Sequence, residues 1–498
     1  MKRTIPSFFQ AAVEAVPDKT WLLFEDRSHT YEEAHAAIAG AAGALAERGV
    51  SRGDLVLVTL RNTPEYLFTW LALMHLGAIM VAANPAGAPA ELAGLAGQTD
   101  PRLVVSDAGV EGGIKDFVEV DALVSSGAGP TPAADVEPED PSVLIPTSGT
   151  TGRSKLVTQT HLAYVMAGEG FSWWLELTAD DRLMTSLPLF HINAPAYSVL
   201  GSVAARAGLV LLPRFSPSTF LDSARRYGAT EFNAIGAMVE MLMRQPERDD
   251  DAENPLRLCY SGPAPPKERH LEFERRFGLR LTSGYAMSET PYGTVWRQGT
   301  RPYGTLGSIR QHPTMGHVNE GRVMAGGRPV TPGEVGELEL RNPAVMKGYW
   351  GMPEETAEVL GADGWLRTGD LVRDNGDGTY TFVGRQKEVI RRRGENLAPA
   401  EVEEALAAHP DVVEAAVVGV PSDLSEEEVK AFVVVREGTK VDPSGLHAWA
   451  AERLARFKVP RYLEVVAELP HTPTGRVAKH QLGRERTADE WDAERSRA

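Results

Sequence analysis

Hydrophobic positions in the first 140 residues follow two periods. Spacings of three and four over residues 31–47 and 63–76 predict helices, and the apolar runs 55–59 and 103–106 predict short buried strands. Helices alternating with such strands predict an α/β layer with parallel pairing. Residues 66–83 are strongly apolar but carry His75 and Gly77 and end at Asn84-Pro85. They barely reach the ~20 residues that a membrane span needs, so they predict a buried helix running into a core strand.

A polar, Pro-rich connector covers 126–142, after which the same mode resumes with a strand at 209–212 and an amphipathic helix at 218–227. From about residue 303 the chain turns Gly-rich and β-rich, with 337–340 and 380–383 alternating like antiparallel strands. Past residue 385, helices at 399–408 and 443–454 and strands at 412–418 and 431–435 predict a compact α+β unit. The expected organisation is a large α/β domain over 1–384, a hinge at 385–387, a small α+β domain over 388–485 and a charged, frayed tail over 486–498. No segment repeats with a period of 20–50 residues, which excludes a solenoid or propeller.

Composition narrows the function. The 498 residues hold 51 Lys+Arg and 68 Asp+Glu, a formal charge of −17, which argues against a nucleic-acid partner. A phosphate ligand needs only a few local donors and stays open. The single cysteine, Cys259, excludes a disulfide framework and every multi-Cys zinc site. With no apolar run after Met1, a cytoplasmic enzyme is expected. Of the 51 basic residues 40 are Arg and 11 are Lys.

Four segments carry candidate chemistry. Thr147, Ser148, Gly149, Thr150, Thr151, Gly152, Arg153, Ser154 and Lys155 follow an apolar run. Four Thr/Ser hydroxyls lead this loop, its glycines allow close backbone approach and Lys155 supplies charge, so it can surround phosphate oxygens, although the spacing is not that of a Walker loop. In Gly284-Tyr-Ala-Met-Ser-Glu-Thr290 an aromatic can stack a purine, and Ser288 with Glu289 can hold phosphate and Mg²⁺. Trp365-Leu-Arg-Thr-Gly-Asp370 places a carboxylate on an expected tight Gly turn, where it can accept from ribose hydroxyls. Residues 384–396 form a basic, Gly-hinged segment between the expected domains.

In this order the four segments resemble the adenylate-forming superfamily of acyl- and aryl-CoA ligases, luciferases and adenylation domains. Ile390-Arg-Arg-Arg-Gly-Glu-Asn396 and the following Ala400-Glu-Val-Glu-Glu404 are most similar to ligases of the crotonobetaine/carnitine-CoA branch. The resemblance implies a large adenylation domain of stacked α/β subdomains, a small mobile C-terminal domain, and use of ATP, Mg²⁺ and coenzyme A. It implies a phosphate loop at 147–155, a carboxylate-pocket residue at His191, and an adenine-flanking turn at Gly262, Pro263 and Ala264. Tyr285 then stacks adenine, Ser288 contacts the α-phosphate, Glu289 carries Mg²⁺, and Asp370 accepts from the ribose beside Arg385. Lys387 falls at the hinge and Gly394 in the loop facing the pantetheine channel. Pocket walls are expected from 191–197, 232–238 and 283–291.

One position departs from the pattern: Arg476 follows Gly475 where the superfamily has the lysine of the adenylation step. Arg is planar and bulkier than Lys, so the exchange is not conservative at a tight site, and Lys479 could substitute only in a rearranged loop. The first reading is therefore a ligase that activates a small carboxylic acid as its adenylate and passes it to coenzyme A. A second is a diazotase of secondary metabolism, activating nitrite for transfer to an aromatic amine. A third, a nucleotide-binding scaffold without catalysis, fits poorly with an intact phosphate loop, Glu289 and Asp370.

Overall fold

The computed structural model describes residues 2–107, 117–120, 123, 129, 131–147, 154–262, 264–392, 395–422, 427–439, 441–472, 477–487 and 490–494. The chain forms two compact units, Met1–Gly321 with Leu340–Arg367, and Arg322–Glu339 with Thr368–Ala498.

The first unit is α/β. One sheet runs in the order Phe117–Glu119, Leu103–Ser106, Leu55–Thr59, Ile79–Ala82, Pro141–Thr147 and Lys155–Thr160. Its pairs are parallel except the last, which is an antiparallel hairpin. A larger sheet runs Ser308–Ile309, Thr290–Val295, Arg280–Met287, Leu258–Ser261, Glu231–Ala234, Arg182–Thr185, Gly208–Leu211, Thr20–Phe24 and Arg27–Thr30, with parallel pairing in its centre and antiparallel edges.

Local sequence sets the helix ends. Tyr31–Glu47 starts at a capping box, with the Thr30 side chain accepting from the Glu33 backbone and Glu33 returning a bond to Thr30. Pro64–Leu76 starts at the Thr63 cap with Pro at its first position and stops at Gly77, whose φ of 68° suits glycine. This helix is buried on nearly all sides and leads into the buried strand Ile79–Ala82, as the apolar stretch predicts. No helix among the described residues is long and apolar enough to cross a membrane.

The second unit contains strands Val412–Pro421, Glu427–Val435, Tyr462–Val466 and Trp491–Asp492 in one sheet, with helices Pro399–Ala407 and Pro443–Arg453. The tail expected to fray thus adds a strand, Trp491–Asp492 pairing antiparallel with Tyr462–Val466. Charge explains the difference: Lys430, wholly buried, pairs with Glu490 at 2.9 Å and Glu464 at 2.8 Å, and Arg461 holds Asp492 at 3.2 Å. Polar residues that look like a solvated end are the partners of buried cations.

One buried group of the larger sheet lacks compensation. Glu231 is wholly buried, and neither carboxyl oxygen has a hydrogen-bond partner among the described residues. Burial pushes its pKa well above the ordinary carboxylate value, and the charge of Arg257 only partly opposes this. Above the unfolded value of 4.5 the unfolded chain releases a proton that the folded chain retains, so Glu231 costs stability increasingly as pH rises. Glu231→Met should raise the melting temperature by about 2 °C or more at pH 8 and by less at pH 5. Thermal scans of both proteins across this range check it, and an equal gain at every pH would refute the assignment.

Candidate active site

The hairpin joining the last two strands of the smaller sheet closes with Thr147 opposite Lys155, and the Thr147 hydroxyl donates to the Lys155 carbonyl at 3.2 Å. Ser148, Gly149, Thr150, Thr151 and Gly152 lie outside the described residues. The free edge of strand Lys155–Thr160 is covered by residues 347–350, with Trp350 N–H on Leu156 O at 2.8 Å and Thr158 N–H on Gly348 O at 2.9 Å. This ladder places the Tyr349 ring beneath Lys155, whose Nζ stands 4.6 Å from the ring centroid. The Tyr349 hydroxyl donates to Glu289 Oε1 at 3.0 Å.

Ser288 and Glu289 form the two-residue tip between strands Arg280–Met287 and Thr290–Val295. The tip is pinned from two directions. Gln159 Nε2 donates to Ser288 O at 2.6 Å, and Met346 N–H donates to Glu289 O at 2.8 Å. Lys155 and Glu289, each singled out from sequence, therefore meet around one phenol that the sequence reading missed, and Ser288 precedes Glu289 on the same tip. The available signal was weak: Gly348 precedes an aromatic pair, and its φ of 135°, with a Cβ that would come within 2.6 Å of Thr356, requires glycine. Burial, then the charge of Glu289, raises the Tyr349 pKa and keeps it a donor.

Tyr285 lies on strand Arg280–Met287 opposite Thr294, half-buried, with its hydroxyl 3.7 Å from Met287 Sδ. Gly262 follows strand Leu258–Ser261, where a Cβ would meet Gly284 O at 2.8 Å, and Ala264 is half-buried; Pro263 lies outside the described residues. The half-buried His191 ring stands 4.4 Å from Phe190. Its loop is fixed from below: Asn62 donates to Leu187 O at 2.9 Å and accepts from Leu189 N–H at 3.0 Å, while the Tyr66 hydroxyl donates to Leu189 O at 3.0 Å. The loop ends in a π-helix, Ala194–Val199, a form common at functional sites.

In the second unit Asp370 is buried and pairs with Arg385 Nε at 2.9 Å. It does not sit on a tight turn. Strand Leu366–Asp374 carries it opposite Arg385 of strand Tyr380–Arg385, and Gly369, at φ 71°, bends within the strand. The backbone of Lys387 lies in a 3₁₀ turn, Gln386–Glu388; Gly394 and Arg476 lie outside the described residues. Lys479 is held by Glu388 and Glu403, each at 2.8 Å. Burial lowers its pKa and the two carboxylates raise it, with a net upward shift. The lysine three residues past Arg476 is thus engaged within its own unit.

The family described as AMP-binding enzyme matches residues 9–350, and its C-terminal domain matches residues 401–476. The chain belongs to this family. It is an ATP-dependent, AMP-forming ligase of the adenylate-forming superfamily. Sulfoacetate–CoA ligase of Cupriavidus necator is 34% identical, over 96% of this chain and 99% of that protein. Crotonobetaine/carnitine–CoA ligase of Salmonella typhimurium is 31% identical, over 93% and 96%. ATP-bound MatB from Rhodopseudomonas palustris matches with a TM-score of 0.88 and 28% identity, over 96% and 98%. O-succinylbenzoate coenzyme A synthetase from Bacillus subtilis, in complex with AMP, matches with a TM-score of 0.86 and 28% identity over the same shares.

Tyr349→Phe keeps the ring under Lys155 and removes only the bond to Glu289. ATP–pyrophosphate exchange should fall about tenfold while the melting temperature holds, because a charge-assisted hydrogen bond is worth roughly 1.5–3 kcal/mol. Exchange at the wild-type rate would remove Tyr349 from the site.

Proposed function

We propose that this ligase joins a small carboxylic acid to coenzyme A in two half-reactions. In the first, a carboxylate oxygen attacks the α-phosphorus of ATP, the bond to the bridging oxygen breaks, and pyrophosphate leaves. In the second, the thiol sulfur of coenzyme A attacks the acyl carbon, losing its proton as AMP departs. The observation that carries the reading is the Lys155–Tyr349–Glu289 arrangement at the mouth of the Thr147–Lys155 hairpin.

The first barrier is mostly charge crowding on the polyphosphate, so fixed cations and donors lower it. Lys155 supplies a cation on a strand bonded along both edges, aided by the hydroxyls and N–H groups of Thr147 to Gly152. Glu289, a carboxylate held at a pinned tip beside the Ser288 hydroxyl, presents the hard oxygen donors that Mg²⁺ takes. Mg²⁺, when bound there, offsets phosphate charge. Ser288 contacts the α-phosphate, Tyr285 stacks adenine beside Gly262, Pro263 and Ala264, and Asp370, oriented by Arg385, accepts from the ribose hydroxyls. His191 lines the acid pocket.

Arg476 acts as the cation of the first half-reaction, and the Gly394 loop serves the second after the C-terminal domain turns about Lys387. No protein nucleophile is involved; Cys259 is wholly buried, and burial pushes its thiol pKa well up. Both relatives quoted above are named as acid–CoA ligases, which favours a carboxylate over nitrite.

An exchange assay over a panel of carboxylic acids, with thioester formation as a second readout and nitrite plus an aromatic amine as a control arm, tests the activity. Exchange with no acid, or AMP release confined to the nitrite arm, would overturn it. Lys155→Ala and Glu289→Ala should each lower turnover tenfold to a hundredfold, about 1.4–2.7 kcal/mol of barrier, with the fold intact. Wild-type turnover in either would refute the phosphate-site assignment. Arg476→Ala should cripple single-turnover pyrophosphate release yet spare thiolysis of a supplied acyl-adenylate, while Arg476→Lys stays active. Pyrophosphate release from Arg476→Ala within about twofold of wild type, under 0.5 kcal/mol of barrier, would dismiss that role.

A further inference from the structure

Arg310 is wholly buried, and among the described residues it pairs with no carboxylate. Its donors end on neutral oxygens: Nε on Thr294 O at 2.8 Å, one terminal nitrogen on the Tyr197 hydroxyl at 2.7 Å and Pro291 O at 3.0 Å, the other on the Tyr260 hydroxyl. The Trp174 ring covers it, 4.5 Å from the guanidinium carbon. An arginine stays charged at any working pH, so the fold maintains a permanent positive charge here, and no carboxylate among the described residues pairs with it.

Strand register shows what that charge faces. Asn233, Tyr260 and Thr282 stand abreast on neighbouring parallel strands, so their side chains share one face, and Gly284, two positions beyond Thr282, lies on it too. Tyr285 projects from the opposite face. A Cβ on Gly284 would meet the Tyr260 hydroxyl at 2.6 Å and Arg310 at 2.9 Å, so glycine is what lets both groups close on this strand. On the same face Asn233 donates to Asn193 at 3.0 Å, two residues past His191. Arg310 and Tyr260 therefore stand on the side of the sheet that holds the loop of the acid pocket.

Tyr260 adds direction. Its hydroxyl oxygen accepts from Arg310, and its own proton has no acceptor among the described residues. A phenol polarised by a guanidinium is a stronger donor, and its fitting acceptor is an anionic oxygen.

We propose that Arg310, acting through the Tyr260 hydroxyl, makes this enzyme select acids that carry a second anionic group besides the carboxylate that is activated. The inference rests on the ligase reading and names its substrate class. Arg310 is a specificity residue that acts through the field and the phenol; it does not touch the reacting atoms.

Matched acids of equal size separate this role from a structural one: succinate against succinamate, and sulfoacetate against methylsulfonylacetate. Acids that are not turned over are scored by their inhibition constants against one that is. Wild type should prefer the charged member about tenfold or more, the effect of a unit charge a few ångströms away in a site of intermediate dielectric. Arg310→Met should bring the ratio to about one with the neutral member little changed, Arg310→Lys should keep it, and Tyr260→Phe should lower it severalfold. If Arg310→Met does not fold, the Arg310→Lys and Tyr260→Phe ratios decide. A wild-type ratio near one, or variants that weaken both members equally, overturns the inference and leaves the ligase activity standing. Exchange with no acid at all brings down the ligase reading itself.

Discussion

The polyphosphate site proposed above requires a cation and a carboxylate close together that do not neutralise each other. Tyr349 meets that constraint. Its ring face takes the Lys155 ammonium, and its hydroxyl donates to Glu289, so each charge has a neutral partner in place. The phenol is itself placed by main-chain bonds, because residues 347–350 complete the edge of strand Lys155–Thr160. Gln159 of that strand and Met346 beside that segment then fix the Ser288–Glu289 tip. Removing the ladder would free all three side chains at once.

The larger sheet treats two buried charges differently. Arg310 meets backbone carbonyls and tyrosine hydroxyls with its forked donors, so its burial leaves a positive field and little unsatisfied polarity. Glu231 has no such set of donors among the described residues, and burial holds its pKa well above the ordinary carboxylate value. A planar guanidinium can be satisfied by neutral oxygens around its rim, whereas a carboxylate needs N–H or O–H groups that parallel strands spend on one another.

The second unit uses charge to hold its own ends. Lys430 and Arg461 draw the terminal stretch into a sheet through Glu490 and Asp492. Lys479 ties the short helix Lys479–Gln481 to Glu403 of helix Pro399–Ala407 and to Glu388 beside the expected hinge. Residues that composition alone marks as solvated are thus structural, because their partners lie inside.

What the sequence determined was local. Thr30 with Glu33, and Thr63 with Pro64 and Gly77, set helix ends because capping bonds join residues three or four apart. The short buried strands followed from apolar runs, and the hydroxyl-rich segment ending at Lys155 was recognisable because one stretch of chain holds its donors together. Asp370 misled: a Gly-Asp pair signals a turn, and only pairing with strand Tyr380–Arg385 drew it into a sheet. Tyr349 carried only the weak signal of the glycine before it, and Arg310 carried none. Tyr349 meets Glu289 across 60 positions, and Arg310 reaches Tyr260 across 50. Such encounters depend on strand order and register, which many distant contacts decide together. The sequence by itself thus named the chemistry and most of the elements, while tertiary structure chose the neighbours that tune each charge.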